Sequence, residues 1–320
     1  MFKFLRAIAI ALLTFGIVVS CMKSPPIESH SQGDCRAIQH ALGETCVPLQ
    51  PQRLVVLGGT TLESCLAIGV QPLASQTDVL PHLDGKLEGI EILGWPLNLE
   101  QVVSLQPDLI IGLANGQEQD TYKLLSQIAP TLLANDETSG DWKAVVQFVG
   151  EILGKPDAAA QVLADYQARL DTLQQQIGDN IEAIEVSVVR LYPDKINLYL
   201  QDSFIGTILA DAGLGRPLSQ QLNRDRALMT IGNPIQMSIS KERLVDADGD
   251  VIFLVTYHPQ PQLKQELQTK LRQLQADPLW SKLEAVQQNQ VYTVGSHWIV
   301  SGPLAADAVI DDLFNYLLEN

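Results

Sequence analysis

The sequence predicts an α/β protein built from two Rossmann-like lobes joined by a single long α-helix. Short apolar segments alternate with helical ones in both halves of the chain, a pattern typical of sheets covered by helices. Residues 99–111 of the first half read like residues 241–253 of the second half. Between the halves lies a long helical stretch without strand-like segments, which predicts a rigid connector.

In both copies of this repeat, a glutamate begins a short helical stretch and an aspartate eight positions later begins an apolar strand. The glutamates are Glu100 and Glu242, and the aspartates are Asp108 and Asp250. Two similar lobes imply a cleft between them, and two matched carboxylates predict docking onto a partner with paired positive charges. Alternatively, each glutamate only stabilises the N-terminus of its helix, where the helix dipole favours negative charge.

The first lobe is predicted to span residues 34–140. Its clearest unit is an apolar, β-branched strand that ends at two glycines and is followed by a helix. Continued alternation predicts a parallel sheet with helices on both faces. The predicted strands are 53–57, 107–112 and 131–133, and the predicted helices are 61–68 and 121–128.

Residues 141–180 are predicted to form the helical connector. The pattern is interrupted at 154–156, where the proline is expected to start a second helix about 30 Å long. The second lobe is predicted to span 181–320. Its predicted strands are 186–191, 196–200, 251–256 and 291–294, and its predicted helices lie at 206–212, in a Gln-rich stretch that continues to residue 274, and at 303–318.

The N-terminus has the layout of a bacterial secretory signal over residues 1–20, with two cations followed by an apolar run. This run is shorter than the roughly 20 residues of a spanning helix. It ends in Val-Val-Ser-Cys, which resembles a lipoprotein lipobox and predicts cleavage before Cys21 and lipidation of its thiol. An ordinary signal with an incidental cysteine is the alternative. Residues 21–33 are predicted to be a flexible tether, so the body is expected outside the cytoplasm, periplasmic or extracytoplasmic, anchored to the cell membrane.

The chain carries 21 basic and 37 acidic residues, a formal net charge of −16. Loss of the predicted signal removes two cations and no acid, which leaves −18. Such a body repels nucleic acid, so no nucleic-acid partner is expected. It also repels anionic ligands at long range, so locally placed cations must capture any anion.

Cys35 and Cys46 flank a Gly-containing turn in a hairpin-like setting. In an exported protein a disulfide between them is plausible, but the sequence leaves their register and oxidation open. Cys65 is expected to pack as a small buried hydrophobe. The cysteine spacing does not match a zinc or redox motif.

Six stretches, in their order and spacing, resemble the substrate-binding lipoproteins of bacterial ABC importers for iron–siderophore complexes and cobalamin. This periplasmic-binding-protein-like group has two lobes joined by one long helix. The His-Ala-Leu-Gly-Glu-Thr hairpin (40–45) and the Ala-Gly-Leu-Gly-Arg-Pro segment (212–217) look most like the iron–siderophore branch. The six stretches are 39–45, 53–70, 98–112, 209–217, 240–253 and 298–313.

The resemblance implies a monomeric binding protein that captures a ferric siderophore between its lobes. It would deliver this ligand to a membrane permease whose cytoplasmic ATPase supplies the energy. Glu100 and Glu242 would dock onto arginines of the permease. Iron(III) would arrive only as part of the ligand, so no intrinsic cofactor and no metal held by side chains is expected.

Ligand contacts are expected from loops at the mouth of the cleft. Trp95 and Trp298 stand at strand-to-helix connections, where doubly wound folds place their binding crevices, although ordinary packing would also explain them. The resemblance places a ligand-binding arginine at the strand end occupied by Arg190, and a guanidinium offers paired donors to carboxylate or catecholate oxygens. A solvent ion pair is the alternative role for Arg190. Weaker candidates are Tyr192, Arg226 and Tyr257.

The sequence allows three rival functions: cobalamin binding, bare-metal binding and hydrolysis. Of five histidines only His258 and His297 are expected near the cleft, too few for a zinc or manganese site built from about three. The sequence has no Gly-x-Ser-x-Gly elbow, and Ser64 has no assignable base. The sequence therefore predicts a binding protein and not an enzyme.

Overall fold

A computed structural model describes residues 35–77, 80–114, 119–258 and 260–318. The residues from Cys35 onward form one compact unit. The predicted signal peptide, the lipidation site at Cys21 and the predicted tether lie outside the described residues. No helix in the described ranges is long and apolar enough to cross a bilayer.

An antiparallel hairpin opens the described chain. Strand β1 spans Cys35–His40 and β2 spans Gly43–Pro48. A disulfide joins Cys35 and Cys46, whose Cα atoms are 5.5 Å apart. The Ala41 N–H of the turn donates to the Leu133 carbonyl oxygen at 3.1 Å, which attaches the hairpin to the first sheet.

The first sheet has five parallel strands in the order β5-β4-β3-β6-β7, as the alternation predicts. Two of its strands were not predicted, because Ala74–Gln76 and Glu91–Leu93 are three residues long and have no apolar period. Its elements are β3 (Leu54–Leu57), β4 (Ala74–Gln76), β5 (Glu91–Leu93), β6 (Leu109–Ala114) and β7 (Thr131–Asn135), with α1 (Gly59–Ala67), α2 (Leu99–Ser104) and α3 (Gln119–Leu125).

Two consecutive helices follow this sheet. Helix α4 spans Trp142–Ile152 and α5 spans Pro156–Ile177. The break between them falls where the sequence predicts it: Gly154 adopts a φ of 66°, which favours glycine, and Pro156 is the first residue of α5. With 22 residues, α5 is about 33 Å long.

The second sheet is mixed and has the order β10-β9-β8-β11-β12. Strand β9 runs antiparallel to β8 and β10, because only a short turn connects β8 to β9. Strand β10 and helix α7 were not predicted. The elements are β8 (Val186–Leu191), β9 (Ile196–Tyr199), β10 (Gln236–Ile239), β11 (Val251–Val255) and β12 (Val291–Val294), with α6 (Phe204–Asp211), α7 (Arg224–Ile231), α8 (Pro261–Gln275), α9 (Glu284–Gln287) and α10 (Pro303–Leu318).

The aspartates of the sequence repeat have the same structural role in both lobes. The Asp108 carboxylate, just before β6, accepts from the backbone N–H groups of Gln52 and Arg53 at 2.7 and 2.9 Å. The Asp250 carboxylate, just before β11, accepts from the N–H of Glu185 at 2.7 Å. Each aspartate therefore ties the start of its own strand to the start of the neighbouring central strand.

Helix α10, at the end of the chain, packs against α1 of the first lobe and against the connector α5. The Glu63 side chain in α1, 1% exposed, accepts from the Ala305 N–H at 2.8 Å and contacts His82 Nε2 at 2.7 Å. The Thr60 and Ser301 hydroxyl groups make a second link at 2.7 Å. One hydrophobic core consequently runs through both lobes.

We expect Glu63→Ala to lower the free energy of unfolding by about 3 kcal/mol, because it strands buried donors of His82 and of the α10 N-terminus. Glu63→Gln, which keeps an acceptor oxygen, should lose markedly less. Urea unfolding followed by circular dichroism measures both, with Glu88→Ala, at an exposed residue, as the control. Equal stability of Glu63→Ala and the wild type would show that this link contributes nothing.

Candidate functional site

A cavity of about 370 Å³ lies at the carboxyl-end edge of the first sheet. Parallel strands end at one edge of a sheet, and here β3, β4 and β6 bring their last residues together beside α3 and the loop before α2. The wall is largely apolar, with a few polar groups. Lining residues are Leu57, Gly58, Gln76, Trp95, Pro96, Leu97, Gly112, Leu113, Thr121, Tyr122, Leu125 and Leu133.

Trp95 stands at the rim of this cavity, in the connection between β5 and α2, and the sequence predicts such a strand-to-helix connection. It is 66% exposed. Its loop is held at both ends: the Gln76 side chain donates to the Gly94 carbonyl oxygen at 3.3 Å, and Asn98 caps α2 by accepting from the Glu100 N–H at 2.9 Å. An exposed indole on a restrained loop offers a flat apolar face to a ligand.

Arg190 lies at the matching edge of the second sheet, near the end of β8. Its Nη1 donates to the Tyr199 hydroxyl at 3.0 Å, and its Cζ lies 4.4 Å from the Tyr192 ring centroid. Arg190 Nε is buried without a hydrogen-bond partner. Burial raises the pKa of Tyr199 to about 12, so its hydroxyl stays protonated at neutral pH. The guanidinium is thus held in place with most of its donors unused.

Tyr192 is itself fixed. Its hydroxyl donates to Gln236 Oε1 at 3.3 Å, and Asn197 Nδ2 donates to the same oxygen at 2.6 Å. Lys195, which the sequence analysis did not single out, places its Nζ 5.0 Å from the Tyr192 ring centroid. The available signal was the Pro-Asp turn directly after a predicted strand, since such turns stand at a sheet edge.

The two weaker candidates stand on other elements of the second lobe. Arg226 is exposed in the first turn of α7, where its backbone N–H donates to Asn223 Oδ1 at 3.0 Å. Tyr257 follows β11 and packs, half-buried, against the main core. The cavity residues Gln76 and Tyr122 were missed by the sequence analysis. Gln76 ends a strand too short to recognise, and Tyr122 lies on a predicted helix whose position over the sheet edge only packing decides.

The expectation that Trp298 walls the cleft is wrong. Trp298 is fully buried, with its ring stacked on Phe253 at a centroid distance of 4.1 Å. Its Nε1 donates to Asp312 Oδ2 at 2.8 Å. The turn after β12 leads directly under α10, so the indole is directed into the core and its polar N–H is satisfied there.

The histidines weighed for a bare-metal site have other roles. His258 Nδ1 accepts from the Gln260 N–H at 3.1 Å, and His297 Nε2 contacts Asp312 Oδ2 at 2.8 Å. In the described part of the chain no group of three or more His, Cys, Asp or Glu side chains could hold a metal ion. Cys65 is free and buried, as expected, and burial raises the pKa of its thiol to about 12.

Glu100 and Glu242 both follow the carboxyl end of a strand. Glu100 lies in the first turn of α2, after β5. Glu242 lies in the 3₁₀ helix Lys241–Ala247, after β10, which runs parallel to β8. Both glutamates therefore stand at the same sheet edges as the cavity and Arg190. The pKa of the fully exposed Glu242 is lowered, first by a hydrogen bond with the Ser240 side chain and then by its own backbone N–H.

The similarity of the two glutamate segments extends to the residues that follow. Val102 and Leu244, two positions after each glutamate, are fully buried. Val103 and Val245, one position further, are 54% and 69% exposed. Each lobe thus presents a carboxylate and an exposed aliphatic side chain three residues apart, about one helical turn.

The chain belongs to the Periplasmic binding protein family, whose profile matches residues 55–297. It is 30% identical over 318 residues to the probable siderophore-binding lipoprotein YfiY of Bacillus subtilis, with 95% of each chain covered. It is 28% identical to the achromobactin-binding periplasmic protein of Dickeya dadantii, with 82% of this chain and 85% of the relative covered.

Among solved structures, the chain is similar to Staphylococcus aureus SirA complexed with staphyloferrin B. The TM-score is 0.77 at 26% sequence identity, with 88% of this chain and 98% of SirA covered. The predicted two-lobed α/β fold is therefore confirmed. The family and these relatives are binding proteins.

We expect Trp298→Ala to lower the free energy of unfolding by about 3–5 kcal/mol, because it opens a cavity in the core. Trp95→Ala, at an exposed site, should change it by less than about 0.5 kcal/mol. Denaturant unfolding of the two variants provides the comparison. Similar losses for both would place Trp95 in the packed structure and not at an open rim.

Proposed function

We propose that this protein is the substrate-binding component of an ABC importer that captures a ferric siderophore between its two lobes. One observation carries the proposal: Arg190 stands at the carboxyl-end edge of its sheet, stacked on Tyr192, with most of its donors unused. The apolar cavity beside Trp95 lies at the same edge of the other sheet. The names of YfiY and of the achromobactin-binding protein support the same ligand class.

The carboxyl-end edges of the two sheets would bind different parts of the ligand. Arg190 would pair with carboxylate or catecholate oxygens of the chelate, because a guanidinium matches paired oxygen acceptors. Trp95 would cover an apolar or flat part of the ligand, and the cavity behind it would accept a ligand arm. Tyr192, Arg226 and Tyr257 are proposed as further contacts. Iron(III) enters this scheme as cargo within the ligand.

Local cations matter here because the chain as a whole is strongly acidic. A net charge of −16 repels an anionic chelate, and physiological salt largely screens this repulsion beyond roughly 8 Å. Close to the site, the attraction of the Arg190 guanidinium for the chelate is stronger than this repulsion, because the guanidinium charge acts at contact distance. Export, a lipid anchor at Cys21 and a monomeric state belong to the same proposal.

Delivery requires a second surface, and we propose that Glu100 and Glu242 provide it by pairing with arginines of the permease. A carboxylate on a rigid body can form a charge-assisted pair with a guanidinium. Val103 and Val245 would add an aliphatic contact beside each pair. A purely local role of the glutamates at their helix starts is compatible with docking, since both glutamates are exposed.

Tryptophan fluorescence of the soluble chain should be quenched saturably by one ferric chelate from a set of ferric hydroxamate, ferric catecholate and ferric citrate. Arg190→Ala should weaken this binding about 10- to 100-fold, the equivalent of one lost charge-assisted hydrogen-bond pair. Lys86→Met, an exposed cation before the amino end of β5, is the control and should leave binding unchanged.

Three outcomes of this titration would contradict the proposal. A response to cobalamin alone would favour the cobalamin-binding branch. A response to bare zinc or manganese alone would move the site to His258 and His297. Conversion of the chelate into a product would favour the hydrolase alternative, because a binding protein returns its ligand unchanged.

Glu100→Gln and Glu242→Gln should each weaken docking to the permease about tenfold, and the double variant more, because each removes one ion pair. Chelate affinity should stay at the wild-type value. Ligand-stimulated ATPase activity of the reconstituted importer measures docking, with Glu88→Gln as the matched exposed-carboxylate control. Full stimulation by the double variant would leave the glutamates with only their local role.

A further inference from the structure

A second cation stands beside the Arg190 site. The turn between β8 and β9 is closed by a hydrogen bond from the Tyr192 N–H to the Lys195 carbonyl oxygen at 2.9 Å. This turn brings Lys195 Nζ to 5.0 Å from the Tyr192 ring centroid, while Arg190 Cζ lies 4.4 Å from the same centroid. Two positive charges therefore share one aromatic ring at the edge of the sheet.

A third cation, Arg216, contacts the same tyrosine as Arg190, Tyr199. Arg216 is 8% exposed, and its Nη2 donates to the Tyr199 carbonyl oxygen at 2.7 Å and to the Gln220 side chain. Its Nε and Nη1 are buried without hydrogen-bond partners. Tyr199 thus connects Arg216, through its backbone, with Arg190, through its hydroxyl.

These three cations have no carboxylate partner in the described part of the chain. None of its ion pairs involves Arg190, Lys195 or Arg216. Asp194 lies in the same turn as Lys195 and is exposed, but it too forms no ion pair there. Like charges near one another repel, which raises the free energy of the empty site. A ligand with several negative charges would replace this repulsion with attraction.

We propose that Lys195 is a second ligand-binding cation, which makes this half of the site selective for ferric chelates with at least two uncompensated negative charges over neutral ferric hydroxamates. The inference rests on the proposed siderophore-binding function and narrows its ligand class. Arg190 takes one anionic arm by paired hydrogen bonds, and Lys195 takes a second as a point charge. The Tyr192 ring sets the spacing between them.

The test compares anionic ferric citrate and ferric catecholate with a neutral ferric trihydroxamate by fluorescence titration. Wild-type protein should bind an anionic chelate more tightly than the trihydroxamate. Lys195→Met should weaken the anionic chelate about five- to tenfold and leave any trihydroxamate binding within about twofold. Lys195→Arg should retain the affinity for the anionic chelate. Added NaCl should reduce the difference in this affinity between the wild type and Lys195→Met.

Lys86→Met controls for the loss of one surface charge. Unchanged anionic binding in Lys195→Met, or an equal loss for both chelate classes, would overturn the inference while leaving the proposed function intact. Tighter wild-type binding of the neutral trihydroxamate would also overturn it. If the wild-type protein bound none of the ferric chelates, the proposed function itself would be wrong.

Discussion

The packing of the C-terminal helix against the first lobe is the constraint on which the rest of the structure depends. The chain passes from one lobe to the other along α4 and α5, and α10 then returns to α1. At this junction the Glu63 carboxylate accepts from the first turn of α10 and contacts His82, with almost no exposure of either side chain. A buried carboxylate is tolerated only where such partners satisfy it. The lobes therefore share one core, and their sheets are held in a defined relation.

The candidate functional side chains stand at the carboxyl-end edges of the two sheets. Trp95, Glu100 and Glu242 follow the carboxyl ends of their strands, and Arg190 lies near the carboxyl end of β8. At the opposite edges, Asp108 ties the starts of β3 and β6, whose carboxyl ends line the cavity, and Asp250 ties the starts of β8 and β11. The aspartates of the sequence repeat therefore have a structural role, while its glutamates are exposed and available for another role.

Much of the fold could be predicted because long elements have strong patterns. Strand 186–191, strand 291–294 and helix 303–318 coincide with the predicted ranges, and the break before Pro156 follows from glycine and proline chemistry. The three-residue strands β4 and β5 could not be found, since they carry no period. Strand β9 was predicted at 196–200, but its antiparallel direction was not, because strand direction depends on the connection and not on apolar content.

The sequence by itself determined the two-lobed α/β class, the helical connector and the family resemblance, because these rest on periodicity and order along the chain. It also placed Trp95 and Arg190 at strand ends. Only the tertiary structure decided that Trp298 is buried under α10, that Glu63 links the lobes, and that Lys195 joins Arg190 on one ring. Those contacts join residues through packing or through the geometry of a turn. No local pattern along the chain determines which of these side chains are buried and which reach solvent.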